Sequence, residues 1–182
     1  MLYPPFPWRR ALLALTAIFL SAALYFGFQS QSAATSLEAQ ARQSLPLETA
    51  LSNGKPTLTE FYANWCRSCQ AMAPDLAKLK QEYGDRVNFV MLNVDNSKWL
   101  PEVLRYRVDG IPHFVFQDAG GTPVAQAVGE LPQEIMAANL TALMDGELLP
   151  YAHSQGQTSP LAEAPTPAPS AEPRSHGAPA QP

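Results

Sequence analysis

Cysteine is scarce in this sequence, with two in 182 residues. That is too few for the disulfide framework of a stapled secreted domain and for a four-thiolate zinc site. The three histidines, His113, His153 and His176, are scattered and do not complete a ligand set, so no metal is implied. Basic charge is also short. Twelve Lys and Arg against sixteen Asp and Glu leave a formal net charge of −4. No polycation exists for nucleic acid or an anionic membrane surface. There is no internal repeat, and the length suits one domain with extensions. Eighteen prolines are the main excess, and they gather toward the C-terminal end.

Both cysteines lie within Trp65-Cys66-Arg67-Ser68-Cys69. Pro56–Ala63 before them is rich in β-branched, aromatic and apolar residues and reads as a strand. After them Cys69, Met72, Ala73, Leu76, Leu79 and Tyr83 recur at helical steps. The pair therefore sits where a strand becomes a helix N-terminus. There the free backbone N–H groups and the helix dipole favour a thiolate, the nucleophile of disulfide exchange. A C-x-x-C spacing brings the second sulfur one turn on, within reach of a mixed disulfide at the first. Half of a zinc site is the first competing reading, but it lacks a second pair of ligands. A structural staple is the other, and so small a loop constrains the unfolded chain little. The motif reads as redox chemistry.

The chain begins with a short tail, residues 1–10, ending in Arg9-Arg10. Ala11–Phe28 follows without a charge and is long enough to be read as a transmembrane helix. Trp8 at one end and Tyr25, Phe26 and Phe28 at the other suit the two interfaces. A cleaved signal peptide competes, with small residues at Ser32-Ala33-Ala34; the long apolar run favours a retained anchor. Arginines before the span keep the N-terminus cytoplasmic or stromal and place the domain on the far side. Residues 29–45 read as a polar tether.

The folded domain is expected over residues 46–149. Leu47–Ser52 is a short helix candidate, and the strand at Pro56–Ala63 carries Glu60 among residues apolar on both sides. The helix from Cys66 to Tyr83 holds Pro74 in its interior. Val87–Asn93 reads as a second buried strand, and Asn96-Ser97 can cap a helix over Trp99–Tyr106. His113–Gln117 and Thr122–Val128 form a hairpin around Asp118-Ala119-Gly120-Gly121, and Pro132–Met144 is the last helix. This order predicts an α/β fold, a mixed sheet with helices on both faces. Residues 150–182, with few large apolar side chains, read as a disordered Pro/Ala/Ser-rich tail.

From about Leu47 to Gly146 the sequence resembles a thioredoxin domain. The resemblance rests on Glu60-Phe61-Tyr62-Ala63-Asn64-Trp65-Cys66 with Cys69, then Ala73-Pro74, Leu92-Asn93-Val94-Asp95, Gly110-Ile111-Pro112 and Val128-Gly129 in the family's order. With the N-terminal anchor it is similar to the membrane-anchored thiol:disulfide interchange proteins of the TxlA type, from cyanobacteria and thylakoids. The resemblance implies Cys66 as attacking thiolate and Cys69 as resolving thiol. It implies Glu60 as the buried base that takes the Cys69 proton, and Pro112 as a cis-proline facing the disulfide. Trp65, Ile111 and His113 would line the groove for a substrate strand, and Arg67 would favour the Cys66 thiolate. His113 replaces a small hydroxyl residue, and Met91 stands where thioredoxins often carry lysine. No cofactor is implied. The expected partners are client proteins with disulfides, including those of cytochrome assembly, and a membrane thiol transporter as electron donor. The expected location of the domain is lumenal or periplasmic, in thylakoids by resemblance. The expected activity is reduction of client disulfides. A disulfide donor, and a redox-silent assembly factor that binds clients through the groove, are the alternatives.

Overall fold

The structure, a computed structural model, describes residues 7–161; side chains at 7, 9, 10 and 26–34 lie outside the described set. Helix α1 (Pro7–Ala34) is followed by α2 (Leu37–Gln43) and α3 (Leu47–Ser52). Then come strand β1 (Thr57–Tyr62), α4 (Arg67–Tyr83), β2 (Asn88–Asn93), a 3-10 turn at Ser97–Trp99, and α5 (Leu100–Arg105). Strands β3 (Gly110–Ile111), β4 (His113–Gln117) and β5 (Pro123–Val128), helix α6 (Gln133–Asp145) and β6 (Ser159–Pro160) complete the order.

The main sheet runs β2-β1-β4-β5. Strand β1 is parallel to β2 and antiparallel to β4, and β4 is antiparallel to β5. All six β1 residues are buried, as a strand with neighbours on both edges and helices on both faces requires. One apolar cluster joins Leu58, Phe114 and Phe116 of the sheet to Met72, Leu76 and Leu79 of α4 and to Met136 and Leu140 of α6. The other gathers Phe61, Leu92 and Val115 with Ala50, Tyr106 and Ile111. The thioredoxin-like sheet and its helices follow the expected order. Asp118 closes the hairpin by accepting from the amides of Gly120 and Thr122 at 2.9 and 2.8 Å. Helix α4 runs through Pro74 as one element.

Two stretches differ from expectation. The tether expected over residues 29–45 contains α2, capped by the Ser36 hydroxyl and packed on α4 with Leu37, Ala39 and Gln40 buried. Gln40 Nε2 donates to the carbonyls of Thr35 and Ala73 at 2.8 and 2.7 Å. A polar residue serves as the buried contact here, so an apolar-periodicity reading passes over the helix. The tail expected to be structureless is held against the body as far as Leu161. Tyr151 is fixed by buried Asn139, which donates to its carbonyl at 3.1 Å and accepts from its amide at 3.0 Å. The rest of that tail, residues 162–182, lies outside the described residues, as does most of the 1–10 tail.

A helix covers the expected membrane span, and its described side chains from Ala11 to Tyr25 are exposed. Phe26–Phe28 lie outside the described side chains. Among the described residues no helix is long and apolar enough to cross a membrane. The expected transmembrane character is therefore not shown by the fold.

Gln40→Ala removes the amide donation to the Ala73 carbonyl of α4 and the local one to the Thr35 carbonyl. The expected loss of stability is about 1 kcal/mol, checked by the urea midpoint of the full chain in mild detergent.

Candidate active site at the Cys66–Cys69 disulfide

Strand β1 ends at Tyr62, and a turn through Ala63 and Asn64 delivers Trp65 and Cys66 to the start of α4. Cys66 is the N-cap residue: its backbone is extended, and its sulfur accepts from the Cys69 amide at 3.0 Å. A sulfur in that position replaces the side-chain oxygen of an ordinary cap. It also lies at the positive end of the α4 dipole, which favours a thiolate once the pair is reduced. The two cysteines form a disulfide of 2.07 Å, and both residues are 0% exposed.

Trp65 is half-buried beside this pair, its indole nitrogen donating to the Asp95 carboxylate at 3.1 and 3.2 Å. The Ile111–Pro112 peptide is cis. Ile111 packs in the same apolar cluster as Cys66, Cys69 and Trp65. The structure thus brings together Cys66, Cys69, Trp65 and Ile111, with the cis-linked Pro112 next in the chain. Arg67 occupies the first position of α4 and is exposed.

His113 departs from expectation. It was expected to line the groove, yet it is 3% exposed and points into the core beside the Phe61 ring, with centroids 6.0 Å apart. Its Nε2 lies 2.8 Å from Gln126 Oε1. Burial holds its pKa below the ordinary imidazole value, which favours the neutral ring. The reason is register: His113 is paired with Phe61 and shares its face of the sheet.

Glu60 is 3% exposed, and among the described residues its Oε1 has no hydrogen-bond partner. In register it pairs with Met91 on one side and Phe114 on the other. Burial pushes its pKa from 4.5 to about 7, and the nearby Lys80 ammonium partly offsets this. Lys80 reaches in from α4, with Nζ 3.1 Å from Met91 Sδ; burial lowers its own pKa. A cation thus stands by the buried carboxylate even though strand β2 offers methionine at the neighbouring position. Lys80 was not singled out in the sequence, where a lysine in the last turn of a helix reads as a solvated end.

Residues 40–142 match the thioredoxin family model, and this stretch holds every residue of the site. The chain belongs to the thioredoxin family. It is 61% identical over 171 residues to the thiol:disulfide interchange protein TxlA homolog of Synechocystis sp., covering 94% of this chain and 95% of that one. It is 48% identical to TxlA of Synechococcus elongatus, over 92% and 89% of the two chains. It is 47% identical to the chloroplastic thioredoxin-like protein HCF164 of Arabidopsis thaliana, over 81% of this chain and 54% of that one. The protein is a thiol:disulfide oxidoreductase, with its thioredoxin domain carrying the redox-active pair.

The buried carboxylate in this thioredoxin domain has a measurable cost. Its folded pKa lies above its unfolded value, so ionisation opposes folding. Stability is fully present below about pH 4.5 and is lost as pH rises through about 7. Glu60→Gln should match the wild type at the acid end and exceed it by about 3 kcal/mol at pH 8.5. Lys80→Met should carry the wild-type loss to higher pH, because the lysine lowers the Glu60 pKa. Urea midpoints across pH 4.5–9 test both. A pH dependence unchanged by Glu60→Gln would remove the buried-charge account.

Proposed function

We propose that this protein reduces disulfides of client proteins on the side of a membrane opposite its N-terminus, anchored through α1. The observation that carries the redox step is the Cys66–Cys69 pair at the start of α4. In the reduced protein the Cys66 thiolate attacks one sulfur of a client disulfide, and the other client sulfur leaves as a thiolate. Cys69 then gives its proton to the Glu60 carboxylate and attacks Cys66. The bond from Cys66 to the client breaks, leaving a client dithiol and the Cys66–Cys69 disulfide, two electrons having passed. A carboxylate with a pKa of about 7 suits this proton transfer near neutrality. Arg67 at the exposed helix start favours the Cys66 thiolate. The groove beside Trp65, Ile111 and Pro112 receives the client as an extended strand.

The anchor reading is supported by the composition of α1. Leu13, Ile18, Phe19 and Leu24 are exposed, with no domain surface covering them. Thr16 and Ser21 donate their hydroxyls to the carbonyls of Leu13 and Ala17 at 2.9 and 2.8 Å. Their polar groups are thereby satisfied inside the helix, as lipid requires. Arg9 and Arg10 ahead of the apolar run favour a cytoplasmic or stromal N-terminus. A reductase on the far side needs reducing equivalents from across the membrane, and a membrane thiol transporter is the proposed donor. By likeness to the TxlA and chloroplastic relatives, thylakoids are the proposed membrane, with cytochrome assembly clients among the substrates.

Two experiments test this reading. Cys69→Ser should trap clients as covalent adducts on Cys66 that dithiothreitol releases, and Cys66→Ser should trap none. The assignment is reversed if alkylation finds Cys69 the more reactive thiol at pH 7. For topology, protease added on the far side of sealed membranes should digest the thioredoxin domain and leave a short anchored fragment. Recovery of a soluble chain beginning near Thr35 would show cleavage and overturn the anchor.

A further inference from the structure

The last described residues do not simply trail off the domain. From Ala152 onward the main chain follows the free edge of β5, where the Gln126 and Val128 amides donate to the carbonyls of Ala152 and Ser154 at 3.2 and 3.0 Å. The Gly156 amide returns a bond to the Val128 carbonyl at 2.7 Å, and the Glu130 amide donates to the Gln157 carbonyl at 2.8 Å. The segment then turns onto β3, pairing antiparallel with Ser159 opposite Ile111 and Pro160 opposite Gly110. Ile111 is the residue joined by the cis bond to Pro112. One step further, Leu161 packs against the apolar cluster that contains Cys66, Cys69, Trp65 and Ile111.

We propose that residues 154–161 are an internal occupant of the client-strand site, a strap that must leave β3 before a protein disulfide can reach Cys66. The proposal rests on the reading of the Ile111–Pro112 edge as the place where a client strand docks. An extended client docking on that edge would pair with the main-chain groups of Gly110 and Ile111, which the strap already holds. Ser159 presents a hydroxymethyl group, too inert to enter exchange, at the register position nearest the cis-proline. The complete burial of Cys66 agrees with a closed site.

The strap is built for a close but reversible fit. Gly129 has φ +89, and a Cβ there would run into the Gly156 carbonyl, while a Cβ at Gly156 would run into the Glu130 carbonyl. Only a pair of glycines lets the two backbones approach so closely. Between Gly156 and Thr158 on one side and Asp109, Gly110 and Val128 on the other, a cleft of about 330 Å³ stays open. Pro160 has no N–H, so the ladder with β3 ends there. The hold is therefore mostly main-chain hydrogen bonds plus one leucine, which an incoming strand can replace in kind.

The test compares the full chain in mild detergent with a variant lacking residues 155–182, and with one lacking residues 162–182, which keeps the strap. Gly156→Val and Leu161→Asp in the full chain serve if the shorter chain does not fold. The readouts are insulin reduction with dithiothreitol as electron source, and the rate at which iodoacetamide alkylates Cys66 in the reduced protein. Loss or weakening of the strap should lower KM for insulin and speed alkylation. A site open only about one time in ten binds about tenfold more weakly than a free one, so a change near tenfold is expected. Removal of residues 162–182 alone should change neither. A synthetic peptide of residues 151–161 should restore inhibition of the shortened chain. Equal KM and alkylation rates in strapped and strapless proteins would overturn the strap and leave the reductase reading intact. Faster alkylation without insulin reduction in any variant would uphold the strap and overturn that reading. The same gain from deleting only residues 162–182 would assign the effect elsewhere and overturn the strap.

Discussion

The junction between β1 and α4 is the constraint on which the structure rests. A central strand, buried on both faces and paired on both edges, cannot shift by one residue without exchanging the side chains packed on its two faces. Its end point is therefore fixed, and with it the point where α4 begins. Cys66 stands at that point and its sulfur caps the helix, so the group that positions the chemistry is the group that performs it. The register of β1 also decides which side chains face α4. Glu60 is turned toward it, and Phe61, with His113 opposite, is turned away.

This register has an electrostatic consequence. A carboxylate in the middle of a sheet loses its hydration, and a full compensating ion pair would hold it ionised and unfit to exchange a proton near neutrality. Lys80 provides a partial answer. It lies on α4, is itself partly desolvated, and shares its ammonium with the Met91 sulfur. Its field lowers the Glu60 pKa enough to leave it at about 7. With the cation on the helix, the position of strand β2 opposite Glu60 carries the apolar Met91.

Much of this was legible in the sequence because it is written in side-chain chemistry. The C-x-x-C pair, the unbroken apolar character of β1, the helical recurrence from Cys69 to Tyr83 and the Asp-Ala-Gly-Gly hairpin each carry a local physical signal. The cis-proline came from family resemblance, since no local pattern distinguishes Pro112 from the other seventeen prolines. The parts passed over share a different cause. Helix α2 buries only Leu37 and Ala39 beside Gln40, whose amide meets backbone carbonyls, so its apolar signal is short. Lys80 lies three residues from a helix end, where a cation needs no special explanation. His113 turns inward because it is paired with Phe61, a relation between residues fifty-two apart that chain order alone does not display. Gly156 and Ser159 are held by main-chain bonds, to which composition is blind.

That blindness bears on how a disulfide reductase can serve many clients. On the proposed reading, recognition through main-chain groups at Gly110 and Ile111 would ask only that a partner be extended and reach the cysteine pair, so side-chain identity would contribute little discrimination. The same economy exposes such an edge to any unpaired strand, including strands with no disulfide to offer. A tethered segment on that edge is present at an effective concentration in the millimolar range, whatever the state of the surroundings. Strands that pair weakly are then turned away, whereas a client that can add a covalent sulfur bond to its hydrogen bonds gains a term the strap cannot match, because Ser159 has no sulfur to exchange. On the proposed reading, selectivity would come from that competition, with the backbone testing for shape and the Cys66 thiolate testing for a disulfide.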